Sequence, residues 1–304
     1  MKVPHLRRDL HTSFKVKRSK VRVTDGRGHT MSAKPSFHTA CCVLFCMQYT
    51  KSSVSNVADD TLDKLTERYQ GCSCQAQSCT PTSSCSCVTR FGPAFDTRGC
   101  LLDVVSSADL LRPVLECNDD CRCGQSCFNR VVQRGIAVEL QVFDCGRRGV
   151  GVRTLQPVMR GSFVCEYSGE LLSYESARRR AQNADPATHN YILEVREFFG
   201  AKLLTTYVDA TYVGNVGRFI NHSCEPNLFV QPVRVENAVP RVALFALRDI
   251  PRYTELTYDY SGGGNITDEC DTRQDNVERK RKHCLCGSSH CRLFLPYDDT
   301  LLVS

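Results

Sequence analysis

The chain carries 20 cysteines among 304 residues, and their spacing limits what it can fold into more than any other feature. One group runs Cys72-x-Cys74-x4-Cys79-x5-Cys85-x-Cys87. After a 29-residue insertion it continues as Cys117-x3-Cys121-x-Cys123-x3-Cys127. Aliphatic residues are sparse in this region outside 101–115, so it cannot build a core of ordinary density and needs crosslinks. Thiols so tightly spaced in a reducing compartment point to metal thiolates, and in a secreted chain they would point to disulfides. The first residues carry charges instead of an apolar run. The longest apolar stretch, 41–47, is far short of the roughly 18–20 residues that cross a bilayer. A soluble, intracellular, metal-binding protein is expected.

Nine thiols do not divide into independent four-cysteine sites. Three tetrahedral zinc ions need twelve sulfur bonds, which nine thiolates supply if three of them bridge. A second group, Cys284-x-Cys286-x4-Cys291, leaves a tetrahedral site one ligand short, so a fourth ligand must come from elsewhere in the chain. Cys100 falls in the insertion and reads as a free or buried thiol. Cys41, Cys42, Cys46, Cys145, Cys165 and Cys270 have no ligand spacing and read as core or loop thiols.

Beyond Ala137 the text changes to short runs rich in Val, Phe, Leu and Tyr. Strands are expected at Ala137–Phe143, Gly149–Leu155, Ser162–Tyr167, Tyr191–Val195, Thr206–Asp209 and Arg241–Ala246. One helix is expected after Ser173 as N-cap, running from Glu175 to Gln182 and stopped before Pro186. A short helix is plausible over Thr61–Gln70, where Leu62 and Leu65 lie three apart. The fold class is therefore mainly β with few helices. Net charge is +6, but residues 1–53 hold eleven Lys or Arg against Asp9 and Asp25. That surplus marks a basic arm on a mildly acidic body, suited to a polyanion or simply solvated.

Two segments carry the chemistry: Arg218-Phe219-Ile220-Asn221-His222-Ser223-Cys224-Glu225-Pro226-Asn227 and Glu255-Leu256-Thr257-Tyr258-Asp259-Tyr260. With the cysteine frames they closely resemble the pre-SET, SET and post-SET regions of histone-lysine N-methyltransferases. The resemblance covers about residues 70–295. It implies a SET fold of small sheets with knot-like threading and a triangular three-zinc cluster on Cys72, Cys74, Cys79, Cys85, Cys87, Cys117, Cys121, Cys123 and Cys127. It also implies a fourth zinc on Cys224, Cys284, Cys286 and Cys291.

The same resemblance gives the expected domains: a basic, disordered arm over 1–60, pre-SET over 61–135, SET over 136–261, a charged loop over 262–282 and post-SET with tail over 283–304. S-adenosylmethionine is the implied cofactor. Asn221 and His222 would contact its adenosine part, with Arg218 beside them and Tyr191 on the same side. Arg148, Gly149, Val150 and Gly151 resemble the family's cofactor turn, where glycine lets backbone approach a ligand closely. Many relatives have Trp where this chain has Val150, which puts packing around the cofactor in doubt. Tyr260 is the implied main catalytic tyrosine, Tyr167 lines the same channel, and Tyr258 stands where Phe or Tyr influences how many methyl groups are added, so mono- or dimethylation is expected.

The implied partner is the histone H3 tail or nucleosome, in the nucleus and on the chromosome. No membrane contact is expected, and the arm adds at most weak, salt-sensitive DNA contact. Two other functions remain open on the residues alone: a catalytically weak, zinc-stabilised chromatin-binding module, and a DNA-binding factor centred on the arm.

Overall fold

A computed structural model describes residues 21–23, 48–55, 67–74, 78–80, 84–104, 113–184, 190–199, 202–261, 282–296 and 301. Within them the strands are β1 (Val21–Val23), β2 (Gln48–Tyr49), β3 (Val54–Ser55), β4 (Val114–Leu115), β5 (Leu140–Asp144), β6 (Val150–Thr154), β7 (Phe163–Glu166) and β8 (Glu170–Leu172). They continue with β9 (Ile192–Phe199), β10 (Lys202–Asp209), β11 (Val213–Gly214), β12 (Asn221–His222), β13 (Leu228–Arg234), β14 (Arg241–Ala246) and β15 (Glu255–Tyr258). The α-helices are α1 (Ser86–Thr89) and α2 (Tyr174–Gln182). No helix among the described residues is long and apolar enough to cross a membrane.

The strands form three sheets. The largest runs β1-β5-β6-β15-β13-β14-β7, with β12 beside β15 and β4 beside β13. The second runs β3-β8-β10-β9, and β11 pairs with β2 in the third. Strand β14 shows how the large sheet makes two cores at once. Side chains alternate across a strand, so Val242, Leu244 and Ala246 join the main core with Leu140, Val152, Leu228 and Leu256. Ala243 and Phe245 face the other way and pack with Phe95, Phe163 and Phe229. A strand covered on both faces reads as a continuous apolar run, as 242–246 does.

Expected and observed strands agree at β5, β6, β7, β9, β10 and β14, and α2 opens as expected, with Ser173 Oγ accepting from the Ser176 N–H at 3.3 Å. β13 is an addition. Pro232 sits inside it, opposite Val242, and a proline ordinarily argues against an interior strand position. The described residues 67–70 of the expected Thr61–Gln70 helix are not helical. Their backbone bonds elsewhere: Tyr69 N–H donates to Glu236 O at 2.7 Å, and Asn118 Nδ2 donates to Tyr69 O at 2.8 Å. Residues 61–66 lie outside the described residues, as do most of the arm and all of the charged loop but Lys282.

Residues 48–55, assigned from sequence to the disordered arm, add strands to two sheets. Thr50 N–H donates to Gly214 O and Val54 N–H to Gly169 O, each at 2.9 Å. Strands of two residues leave no readable alternation, and these are held by backbone bonds to neighbouring edges. Between them the Ser53 N–H donates to buried Glu166 Oε1 at 3.1 Å. Burial pushes the Glu166 carboxyl up to about 7, while Arg241 and the Ser53 N–H pull the other way.

Glu166 is thus raised in the folded state above its ordinary 4.5. The stability linked to its neutral form is fully present below pH about 4.5 and lost as pH rises through about 7. Glu166→Gln keeps the shape and an acceptor for Ser53 but cannot ionise. Urea melts at about pH 5 and about pH 8 should show the variant gaining on the natural protein by up to ~3 kcal/mol. A stability difference independent of pH would show that Glu166 does not titrate with folding.

Candidate active site and metal centres

β12 lies parallel to β15, with Asn221 opposite Thr257 and His222 opposite Tyr258. Two further backbone bonds extend the pairing, Ser223 N–H to Tyr258 O and Asn227 N–H to Thr257 O, both 3.2 Å. The two motifs are thereby brought side by side, and the three candidate tyrosines meet. The rings of Tyr258 and Tyr260 are 4.8 Å apart and those of Tyr167 and Tyr258 6.5 Å apart. Tyr260 Oη donates to Ile220 O at 3.0 Å, and Tyr167 Oη donates to Tyr191 O at 2.7 Å. Burial pushes both phenols well above their usual range, so both keep their protons. With each proton committed to a carbonyl, the phenolic oxygens are left as acceptors.

His222 has both ring nitrogens engaged. Nδ1 accepts the Tyr260 N–H at 3.2 Å, and Nε2 lies 3.4 Å from Cys224 Sγ. Accepting at Nδ1 makes Nε2 the protonated nitrogen of a neutral ring. Burial keeps it neutral, pushing its pKa down to about 4. What His222 can offer a ligand is therefore its backbone; its ring bridges a metal-site sulfur to the tyrosine segment.

Of the candidate cofactor residues, Arg148, Val150 and Gly151 gather around Asn221 through Glu255 and the glycine turn, while Arg218 and Tyr191 stack on each other, with the Tyr191 carbonyl on the tyrosine side. Asn221 Nδ2 donates to Val150 O at 3.3 Å and to Glu255 Oε1 at 3.1 Å. Glu255 also accepts from Nη1 and Nη2 of Arg148, at 3.0 and 2.7 Å. Gly149 has φ +74°, a conformation that favours glycine. Gly151 is needed for space: a Cβ there would lie 2.4 Å from Cys145 Sγ and 2.9 Å from Asn221 Nδ2. Val150 packs its side chain on the main core and offers its carbonyl to Asn221, so replacing Trp at this position leaves the backbone contact intact. Arg218 stacks 3.9 Å from the Tyr191 ring and donates Nη1 to Thr211 O at 3.1 Å. Its Nε is buried without a partner. An orphaned donor at Arg218, and an Asn221 Oδ1 with no partner among the described residues, suit a ligand with both a carboxylate and an ammonium, as S-adenosylmethionine has.

The metal centres are tested by sulfur geometry. A tetrahedral zinc with Zn–S near 2.3 Å holds its sulfurs about 3.8 Å apart. The Cys72–Cys79, Cys87–Cys121 and Cys224–Cys284 sulfurs are 3.9, 3.7 and 3.9 Å apart. Cys72, Cys74, Cys79 and Cys85 form one quartet with mutual separations under 4.8 Å, and Cys79, Cys117, Cys123 and Cys127 form another. They share Cys79, and Cys117 also joins Cys85 and Cys87 in a third grouping. Sharing of this kind is what nine sulfurs around three ions require. Cys224, Cys284, Cys286 and Cys291 make a separate quartet. Arg292 ties it to the active-site strand, its N–H on Cys224 Sγ at 3.3 Å and its guanidinium on Asp259 at 2.5 Å. Cys100 and Cys165 are buried thiols outside these groups; Cys41, Cys42, Cys46 and Cys270 lie outside the described residues.

Residues that sequence reasoning left out include Glu255, the Ile220 carbonyl and Arg130. Arg130 is only 1 % exposed, with Nη2 on Asn118 O at 2.6 Å and 3.8 Å from Cys123 Sγ. Three dications on nine thiolates would leave roughly three negative charges, which would account for a guanidinium buried there with, among the described residues, only the exposed Asp119 as a carboxylate partner, at 3.9 Å.

The chain matches the SET domain over residues 149–261 and the Pre-SET motif over 31–130. Histone-lysine N-methyltransferase SETMAR of Mus musculus is 43% identical over 259 residues, 84% of this chain and 83% of that protein. SETMAR of Homo sapiens is equally similar, but this chain spans 37% of its length. The crystal structure of the human SETMAR methyltransferase domain superposes with a TM-score of 0.69 at 36% identity, covering 91% of this chain and 94% of that one. The structure of KRYPTONITE in complex with mCHH DNA, H3(1-15) peptide and SAH superposes with a TM-score of 0.62 at 33% identity, covering 83% and 48%. The chain belongs to the SET-domain histone-lysine N-methyltransferases. It is thus an S-adenosylmethionine-dependent protein-lysine methyltransferase, with cysteine clusters in its pre-SET and C-terminal regions that fit zinc.

Purified protein should carry about four zinc ions, three in the large cluster and one in the small. Metal analysis finding one or none would overturn that count. Cys286→Ser should lose one zinc and most activity while the main melting transition barely moves, because only the small site loses a ligand.

Proposed function

We propose that this chain transfers methyl groups from S-adenosylmethionine to a lysine of histone H3, stopping at mono- or dimethyllysine. The commitment of the Tyr260 and Tyr167 protons to backbone carbonyls carries the reading. It leaves two phenolic oxygens as acceptors beside Tyr258, which suits an amine that must be aligned and a positive charge that must be tolerated. The bound cofactor supplies an electrophilic methyl group. Tyr260 orients the amine, Tyr167 lines the channel, and the buried rings of Tyr167 and Tyr258 exclude water. Arg148, Gly149, Val150, Gly151, Tyr191, Arg218, Asn221 and the His222 backbone form the cofactor side. The H3 assignment is supported by the peptide in the KRYPTONITE complex. A nuclear, chromosomal location follows from that substrate, and the basic arm adds weak DNA contact.

Tyr258 decides the number of methyl groups in this reading, because a hydroxyl can hold water in the space that a bulkier methylated amine needs. Tyr258→Phe should shift products toward higher methylation with turnover preserved. Tyr260→Phe should cost of order 10²-fold in rate through lost positioning. Mass spectrometry of a histone H3 peptide after incubation with S-adenosylmethionine measures both. An unchanged product distribution in the first variant and a near-normal rate in the second would defeat the assignment.

A further inference from the structure

Three side chains donate to the Glu255 carboxylate, and the Gly151 backbone is a fourth close neighbour. Arg148 gives two hydrogen bonds, at 3.0 and 2.7 Å, and Asn221 Nδ2 gives one at 3.1 Å. The Cys145 thiol donates to Oε1 at 3.5 Å. Burial first, and then the Glu255 charge, pushes that thiol up to about 12, so it remains a donor. The fourth approach is that of the Gly151 backbone: a Cβ there would come within 3.0 Å of Glu255 Oε1. The backbone of Glu255 is fixed as well, its carbonyl accepting from Asn227 Nδ2 at 2.7 Å and its residue paired with Arg153 across β6.

The consequence falls on Asn221. An amide can present either its oxygen or its nitrogen to a ligand, and the two ends differ little in shape. Here Nδ2 faces two acceptors, the Val150 carbonyl and the Glu255 carboxylate. Turning the amide over would set its oxygen against both, one of them ionised. We propose that Glu255 is a positioning residue that locks the Asn221 amide with its oxygen toward the ligand, so that the cofactor side presents an acceptor for an ammonium group. Glu255 also holds Arg148, at the end of the glycine turn, in the same network. The proposal rests on the reading of Asn221 as a cofactor-side residue.

The test is the binding of S-adenosylmethionine and of an H3 peptide to the full chain by calorimetry, well below the thermal transition of every variant so that all are folded. Glu255→Gln keeps volume but removes the carboxylate from the two acceptors that hold the amide, leaving the Val150 carbonyl as the weaker restraint on its orientation. It should weaken S-adenosylmethionine about tenfold, with peptide affinity and the rate at saturating cofactor within about twofold of the natural protein. Asn221→Ala should weaken the cofactor at least as much, and adding Glu255→Gln to it should cost little more, because the two act through one contact. Unchanged cofactor affinity in Glu255→Gln, with a clear loss in Asn221→Ala, overturns the positioning role alone. Unchanged affinity in Asn221→Ala overturns the cofactor-side reading and this proposal with it. Equal loss of cofactor and peptide binding in Glu255→Gln shows a merely structural residue and also overturns it.

Discussion

The parallel contact of β12 with β15 is the constraint on which the other features depend. It spans only Asn221–His222 against Thr257–Tyr258, yet each residue in it serves a different part of the site. Asn221 reaches toward the glycine turn, His222 bridges Cys224 to Tyr260, and Tyr258 stands between Tyr167 and Tyr260. A strand pair this short has little stability of its own. It holds because both strands are pinned at their flanks: Leu256 and Ile220 are in the main core, while Asn227 donates to Glu255 O and accepts the Thr257 N–H. A one-residue slip would turn the tyrosines to the opposite face, so the same packing that stabilises the sheet sets the register of the site.

Where apolar packing runs out, sulfur takes over, and the two zinc-binding regions use it differently. Nearly every buried member of the pre-SET cluster is a cysteine, with Val88 and Leu115 as the aliphatic exceptions. There the metal replaces a core. Glu116 joins that region to the SET body through its N–H, which donates to Arg234 O at 2.8 Å, while its fully buried side chain accepts from the backbone of Val131, Val132 and Gln133, at 2.8, 2.6 and 3.3 Å. Burial pushes its carboxyl up and these donors pull it down. The C-terminal quartet is less enclosed and gathers distant stretches of chain: Cys224 comes from the segment that carries Asn221, and Cys284, Cys286 and Cys291 come from the C-terminal stretch. Its links to the site run through His222 and through Arg292 on Asp259.

The parts of this protein legible in its sequence are those set by local spacing. Cysteine intervals point to metal sites and leave the C-terminal one a ligand short, with Cys224 supplied by the family resemblance, and Ser173 before a helical stretch points to an N-cap. Strands β5, β6 and β14 follow from runs of Val, Leu and Phe. Features set by distant partners were not legible. Residues 48–55 show no alternation because backbone bonds to Gly214 and Gly169 hold them, not a buried face. β13 carries a proline that local rules discourage. Glu255 sits in plain view inside a quoted motif, but its meaning comes from Arg148 and Asn221, far off in the chain. Arg130 looks like any surface arginine until the charge of the thiolate cluster beside it is counted.

The backbone does more of the site's chemistry than the motif letters suggest. Tyr260 and Tyr167 are aimed by the carbonyls of Ile220 and Tyr191, and Asn221 by that of Val150. A carbonyl is present whatever the side chain, so these contacts survive substitutions that a comparison of letters would count as losses. That explains how this chain can lack Trp between its glycines and still keep the Asn221 contact. It also locates the intolerance. Gly151 is pressed against Cys145, Asn221 and Glu255, and any added carbon would displace the amide and the carboxylate together. The position that looks weakest as a motif, the second glycine of a Gly-x-Gly, is thus one at which no side chain fits.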